Sequence, residues 1–134
     1  MKSTAMIVQR DPLLSQDLQE AFGELGIEVV AVSRDADAAA RDAVTHLQPR
    51  YIVLDAGLVA GGDGLTLAHY ARHHLPEVKL ILVTGSEDED AVKGLRAAAP
   101  LGVLRKPVLS VELERLIMND WKGPPAEAGA LARK

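Results

Sequence analysis

There is no cysteine in the 134 residues of this chain, which excludes disulfides, thiol catalysis and a cysteine-rich zinc cluster. Aromatic residues are nearly absent as well. Phe22, Tyr51, Tyr70 and Trp121 are the whole set, too few for a base-stacking platform, so the core has to be built from Val, Leu, Ile and Ala. No apolar run approaches the roughly 18 residues needed to cross a bilayer, and the first is only about four residues long, short of a signal-peptide core. A cytoplasmic location without membrane contact is expected. The basic residues are scattered, the formal net charge is -4 and the sequence pI is near 5.5, so direct binding to nucleic acid is not expected. Internal repeats and low-complexity blocks are missing too.

What is present is an alternation. Five short apolar runs (Ala5 to Val8, Glu28 to Val32, Tyr51 to Leu54, Val78 to Val83, Leu101 to Leu104) are separated by segments of helical period, which argues for one domain with a parallel sheet covered by helices on both faces. The first helix has the clearest signals. Asp11 can cap it, Pro12 suits its first position, and Leu14, Leu18, Ala21, Phe22 and Leu25 form one stripe before Gly26. Further helices are predicted from about Asp35 to Leu47, from about Leu65 to Leu75, from a Ser86/Glu89 capping box to before Pro100, and from about Ser110 to Trp121 with Leu113, Leu116 and Ile117 inward. The last segment, GPPAEAGALARK, loses the pattern. Residues 1–122 are thus expected to form the domain and 123–134 a flexible tail or the start of a linker.

A right-handed five-stranded sheet of this kind, in the order 2-1-3-4-5, sets the ends of the first and third strands side by side at the switch point where ligands bind. Arg10, Asp11 and Asp55 then converge there. Asp55 ends the third run (YIVLD), Thr84 the fourth (KLILVT), and Lys106 the fifth (GVLRK), followed by Pro107. A carboxylate can accept a phosphoryl group, and the transfer is assisted by positioning and by cations that neutralise the oxygens.

On these residues, together with the Asp11-Pro12 helix start and Asp63-Gly64-Leu65, the chain resembles the response-regulator receiver (CheY-like) family over roughly residues 4 to 121. The resemblance implies a flavodoxin-like (βα)5 doubly wound parallel sheet. It implies that Asp55 accepts a phosphoryl group from a histidine kinase or phosphotransfer protein, that Thr84 and Lys106 contact the phosphoryl oxygens, and that the Lys106-Pro107 peptide is cis. A metal site would draw on Asp11, Asp55 and the carbonyl of Gly57. Signalling would proceed by protein contact, through a homodimer or an output partner on helix four, strand five and helix five (Lys93, Arg96, Arg105, Val111, Arg115), and not by turnover of an external substrate.

The departures from the family matter equally. Receivers usually carry two adjacent acids after the first strand to hold Mg2+, and here Gln9 and Arg10 occupy those places. A divalent cation gains little beside a guanidinium, so Mg2+ is expected to be weakened or absent. An arginine within about 4 Å of Asp55 would attract it by roughly 4 kcal/mol gross at an effective dielectric of 20, before desolvation. Arg10 is then either a tethered substitute for the metal or a lock on the acceptor. The lock defines a second reading, a pseudo-receiver that binds partners without phosphorylation. Three residues before Lys106 receivers commonly place Tyr or Phe, and here it is Val103. The glycine-rich AGLVAGG stretch after Asp55 is one residue longer than the commonest form and is expected to be a mobile loop.

Other signals lead to simpler readings. His69 and His73 stand four apart with His74 adjacent, but no third ligand shares their face, so they read as a solvated surface. The acidic run Glu87 to Asp90 reads as a solvated first turn. A flavin-binding use of the fold would want a Gly/Ser/Thr-rich phosphate loop after the first strand, and QRDPLLS is not one.

Overall fold

Each of the five apolar runs forms a strand of one parallel sheet, in the order β2-β1-β3-β4-β5. The computed structural model describes residues 3–85 and 93–122. The expected capping box at Ser86 and Glu89, the acidic run and the expected tail at 123–134 lie outside the described residues. The elements are β1 (Thr4–Val8), α1 (Pro12–Glu24), β2 (Glu28–Ser33), α2 (Ala38–Leu47), β3 (Tyr51–Asp55), α3 (Ala56–Ala60), α4 (Asp63–His74), β4 (Lys79–Thr84), a 3-10 turn (Arg96–Ala98), β5 (Gly102–Arg105) and α5 (Ser110–Lys122). Among the described residues no helix is long and apolar enough to cross a membrane.

The local chemistry explains the boundaries. Asp11 accepts hydrogen bonds from the backbone N–H groups of Leu13 and Leu14 at 3.0 and 3.4 Å, and Pro12 fills the first helical position, where a missing N–H costs nothing. Leu18, Ala21 and Phe22 are buried from the expected stripe. The second helix starts at Ala38, three residues later than predicted, because Asp37 is its cap, accepting from the Ala40 N–H. The third predicted helix, α4, begins at Asp63.

Successive side chains of a strand leave on opposite faces, so a strand sandwiched between helices must be apolar throughout. β3 is buried at all five positions. Met6, Val8, Ile52, Leu54, Leu80 and Leu82 meet α2, α3 and α4 on one face. On the other, Ala5, Ile7, Val53, Ile81 and Val83 meet α1 and α5. Fully burying one such Leu or Ile is worth roughly 1.5–3 kcal/mol, and these two layers fix the strand ends that carry the polar residues.

The stretch after Asp55 corrects the sequence reading. It is not an open loop: Ala56–Ala60 forms α3, with Ala56, Leu58 and Val59 buried against the α4 side of the sheet. Its apolar residues have a core to enter, which outweighs the glycine content. Gly64 allows the approach, since a Cβ there would stand 2.6 Å from both the Leu58 carbonyl carbon and the Val59 nitrogen.

Two polar networks brace the sheet at the end opposite Asp55. Asp120 on α5, whose side chain is only 6% exposed, accepts a hydrogen bond from the Tyr51 hydroxyl at 2.8 Å and pairs with Arg50 at 3.2 Å and Lys79 at 3.5 Å. The hydrogen bond to Tyr51 is the first cause that raises the Arg50 pKa above its ordinary value. Arg72 on α4 spreads its guanidinium over four carbonyls, those of Pro76, Val78, Ala98 and Ala99.

Candidate functional site

Parallel pairing of β1 with β3 sets Val8 beside Leu54, so the residues that follow, Gln9, Arg10 and Asp55, meet at the edge of the sheet. The Asp55 carboxylate is 6% exposed. Oδ1 accepts from the Gly57 N–H at 2.8 Å and Oδ2 from the Arg10 N–H at 3.3 Å. The side chain is therefore held by two backbone donors, one from α3 and one from the turn after β1, and it also caps α3.

Neighbouring strand ends bring the other predicted residues to the same edge. β3 pairs with β4 through Asp55 and Val83, and β4 pairs with β5 through Thr84 and Arg105. The Lys106 N–H donates to the Thr84 carbonyl at 2.9 Å, and the Lys106-Pro107 peptide is cis, as the family resemblance implied. The Thr84 hydroxyl is fully buried and donates to the Gly85 carbonyl at 2.9 Å. Lys106 is exposed, and no ion pair within 4.0 Å joins it to Asp55.

Arg10 is exposed and makes no ion pair with Asp55 within 4.0 Å, so the close pairing considered above is not formed. Its guanidinium nevertheless lies beside the acceptor. Nη1 is 3.9 Å from the point where a Cβ on Gly57 would stand, and that point is 3.3 Å from Asp55 Oδ1. Gln9 is 1% exposed; its amide oxygen accepts from the Asp11 N–H at 3.4 Å, while its Nε2 is buried with no partner.

The residues expected to hold a divalent cation offer it little beyond Asp55. Asp11 Oδ1 is occupied as the cap of α1. The Gly57 carbonyl accepts from the Gly61 N–H at 3.1 Å as part of α3. Each Asp55 oxygen accepts one backbone N–H and keeps a further lone pair. The orphaned group at Gln9 is a donor, which asks for an acceptor and not for a cation. Among the described residues no three His, Cys, Asp or Glu side chains cluster as metal ligands. His74 instead stacks on Tyr70 at 4.0 Å and bonds the Tyr70 carbonyl through Nδ1.

The remaining predicted residues are spread over the surface. Arg105, Val111 and Arg115 are exposed on β5 and α5, and Lys93 and Arg96 are exposed just before β5. Val103, in the place of the family's usual aromatic, is 36% exposed. The ion cluster at Asp120 and the Arg72 fork carried no sequence signal, because their partners are dozens of residues away or are backbone carbonyls.

Comparison with known proteins gives a consistent result. A model of the response regulator receiver domain matches residues 5–118. The transcriptional regulatory protein AruR of Pseudomonas aeruginosa is 34% identical over 116 residues, covering 84% of this chain and 47% of AruR. The chain thus spans about half the length of that curated relative. Among solved structures, the receiver (REC) domain of AraT, a response regulator from Geobacillus stearothermophilus, superposes with a TM-score of 0.78 at 23% identity, covering 88% of this chain and 92% of that one. The signal receiver domain of a modulated diguanylate cyclase from Desulfovibrio desulfuricans superposes with a TM-score of 0.77 at 24% identity, with the same coverage.

Proposed function

The chain belongs to the response regulator receiver domain family, and from that premise we propose that Asp55 accepts a phosphoryl group from a histidine kinase or phosphotransfer protein. The observation that carries the reading is the state of the Asp55 carboxylate: buried at a strand end, held by the N–H groups of Gly57 and Arg10, with Thr84 and Lys106 on the adjoining strand ends. In the transfer an Asp55 oxygen attacks phosphorus. The P–N bond of the phosphohistidine breaks, its electron pair leaves with the imidazole nitrogen, and an acyl phosphate forms. Backbone donors keep the carboxylate aimed, and Lys106 supplies a cation whose four-carbon stem can follow the oxygens.

The output is a contact. The exposed groups Arg105, Val111 and Arg115 on β5 and α5, with Lys93 and Arg96, make the surface proposed for a second copy or an output partner. The pseudo-receiver reading loses its main support, since Arg10 does not pair with Asp55. The test is the intact mass of the chain after incubation with a small-molecule phosphodonor. A gain of one phosphoryl group in the wild type, absent in Asp55→Asn, is expected. No gain in the wild type would leave a phosphorylation-independent binding module.

A further inference from the structure

We infer that this pocket receives the phosphoryl oxygens on the Arg10 guanidinium in place of a divalent cation, so that transfer to Asp55 proceeds without metal. The inference rests on Asp55 being the phosphoacceptor and adds which positive charge serves it.

The first support is that a cation finds few oxygen donors here beyond Asp55, since Gln9 and Arg10 are the residues that follow β1. Asp11 caps α1, the Gly57 carbonyl belongs to α3, and both Asp55 oxygens accept N–H groups. The second is the position of Arg10. Its Nη1 and Asp55 Oδ1 lie 3.9 and 3.3 Å from the same point above Gly57, and residue 57 has no side chain to stand between them. A guanidinium there can reach an oxygen of a group bonded to Asp55. The third is that Arg10 makes no ion pair and no side-chain hydrogen bond among the described residues, so its five donors can turn onto an anion without breaking a bond to any of them.

Charge decides between the two cations. An aspartyl phosphate carries about two negative charges at neutral pH. Arg10 and Lys106 together supply two positive charges, which match the charge of the phosphoryl group with no metal. A divalent ion beside them would add positive charge beyond what the phosphoryl group neutralises, and would first have to approach a guanidinium. An arginine that contacts a transferring phosphoryl group can be worth roughly 10³–10⁵ in rate, so the loss of one residue is large enough to detect.

The test uses the full chain with phosphoramidate as donor, in EDTA and in Mg2+, followed by intact mass. In this reaction the protonated nitrogen leaves as ammonia with the electron pair of the broken P–N bond. Wild type is expected to gain one phosphoryl group in EDTA at a rate within about threefold of that in Mg2+. Arg10→Ala, which keeps the backbone N–H, should be at least about tenfold slower in EDTA, with Arg10→Lys in between. A wild-type gain only in Mg2+, or an Arg10→Ala rate in EDTA equal to wild type, would overturn the inference and leave Asp55 as a phosphoacceptor. A gain that persists in Asp55→Asn, or none in any condition, would remove that premise. In either case 19F spectra of beryllofluoride in EDTA decide for Arg10. Bound fluorine signals lost in both Asp55→Asn and Arg10→Ala would uphold the anion site, and their absence in wild type would end it.

Discussion

The Tyr51 hydroxyl donates to Asp120 across 69 positions of sequence, at 2.8 Å, and so joins the start of β3 to the last turns of α5. Tyr51 is fully buried and the Asp120 side chain is 6% exposed, whereas Arg50 and Lys79 reach Asp120 from partly exposed positions, with 39% and 34% of their side chains accessible. Solvent screens those two ion pairs, which leaves the phenol as the main energetic partner. Asp120→Ala should therefore lower the unfolding free energy by about 2 kcal/mol, read as a lower urea midpoint at unchanged slope. A double-mutant cycle with Tyr51→Phe should show coupling of about 1 kcal/mol. Strict additivity would mean that the two side chains contribute independently.

Tyr51 also gives the fold a dependence on alkaline pH. Burial raises its pKa above the ordinary tyrosine value, the Asp120 carboxylate adds to this, and Arg50 opposes it. An unfolded chain releases this proton near pH 10, whereas the folded chain keeps it to higher pH. Folded protein thus binds more protons in that window, so the contribution is fully present below about pH 10 and is lost as pH rises through the folded pKa. Tyr51→Phe should be less stable than wild type at pH 8 and should decline less steeply above pH 10. Parallel denaturation midpoints for the two proteins across that range would contradict the assignment.

How far the sequence could be read depended on whether a signal was local. Asp11 and Pro12 announce α1 because capping acts within three or four residues, and the apolar strands announce themselves because both faces are covered. The same local logic put Asp55, Thr84 and Lys106 on adjoining strand ends. AGLVAGG misled because its glycines are visible in sequence while the cavity that receives Leu58 and Val59 is not. The position of the Arg10 guanidinium could not be read for a similar reason: a long side chain beside a carboxylate can pair, overhang or leave, and only the backbone around Gly57 decides. The partners of Asp120 and Arg72 lie too far along the chain to be matched from one sequence.

Gly64 permits the short helix that carries Gly57 to sit where it does. A methyl group at this position would meet main-chain atoms at 2.6 Å, which cannot be relieved by a rotamer change. Gly64→Ala should cost about 3 kcal/mol or more. It should also slow Asp55 phosphorylation, because displacing α3 displaces the Gly57 N–H that holds Oδ1. Gly61→Ala is the matched control. Its Cβ would stand 3.6 Å from the Gly57 oxygen, an ordinary contact, and its φ of -76° suits any residue, so a stability within about 0.5 kcal/mol of wild type is expected. Equal losses for both variants in thermal or urea unfolding would refute the steric account.

Arg72 holds together three pieces of chain that meet below the sheet. Nε bonds the Ala98 carbonyl at 3.1 Å, Nη1 those of Pro76 and Val78 at 2.9 and 2.8 Å, and Nη2 that of Ala99 at 3.2 Å. Ala99 has a positive φ of 55°, a conformation unfavourable for a residue with a Cβ, so the turn into β5 needs outside support. The fork matters more than the charge: lysine keeps the positive charge but offers donors from one nitrogen and cannot span carbonyls on both sides. Arg72→Lys should therefore lose about 2 kcal/mol. Hydrogen exchange should accelerate at the Leu101 N–H, whose 2.7 Å bond to the Leu80 carbonyl starts the β4–β5 ladder, while Ile52 and Val53 in the sheet centre stay protected. β5 leads directly into Lys106, so the same substitution should slow phosphoryl transfer to Asp55 by a few-fold. Unchanged exchange at Leu101 in Arg72→Lys would show that charge alone, and not the planar fork, supports the turn.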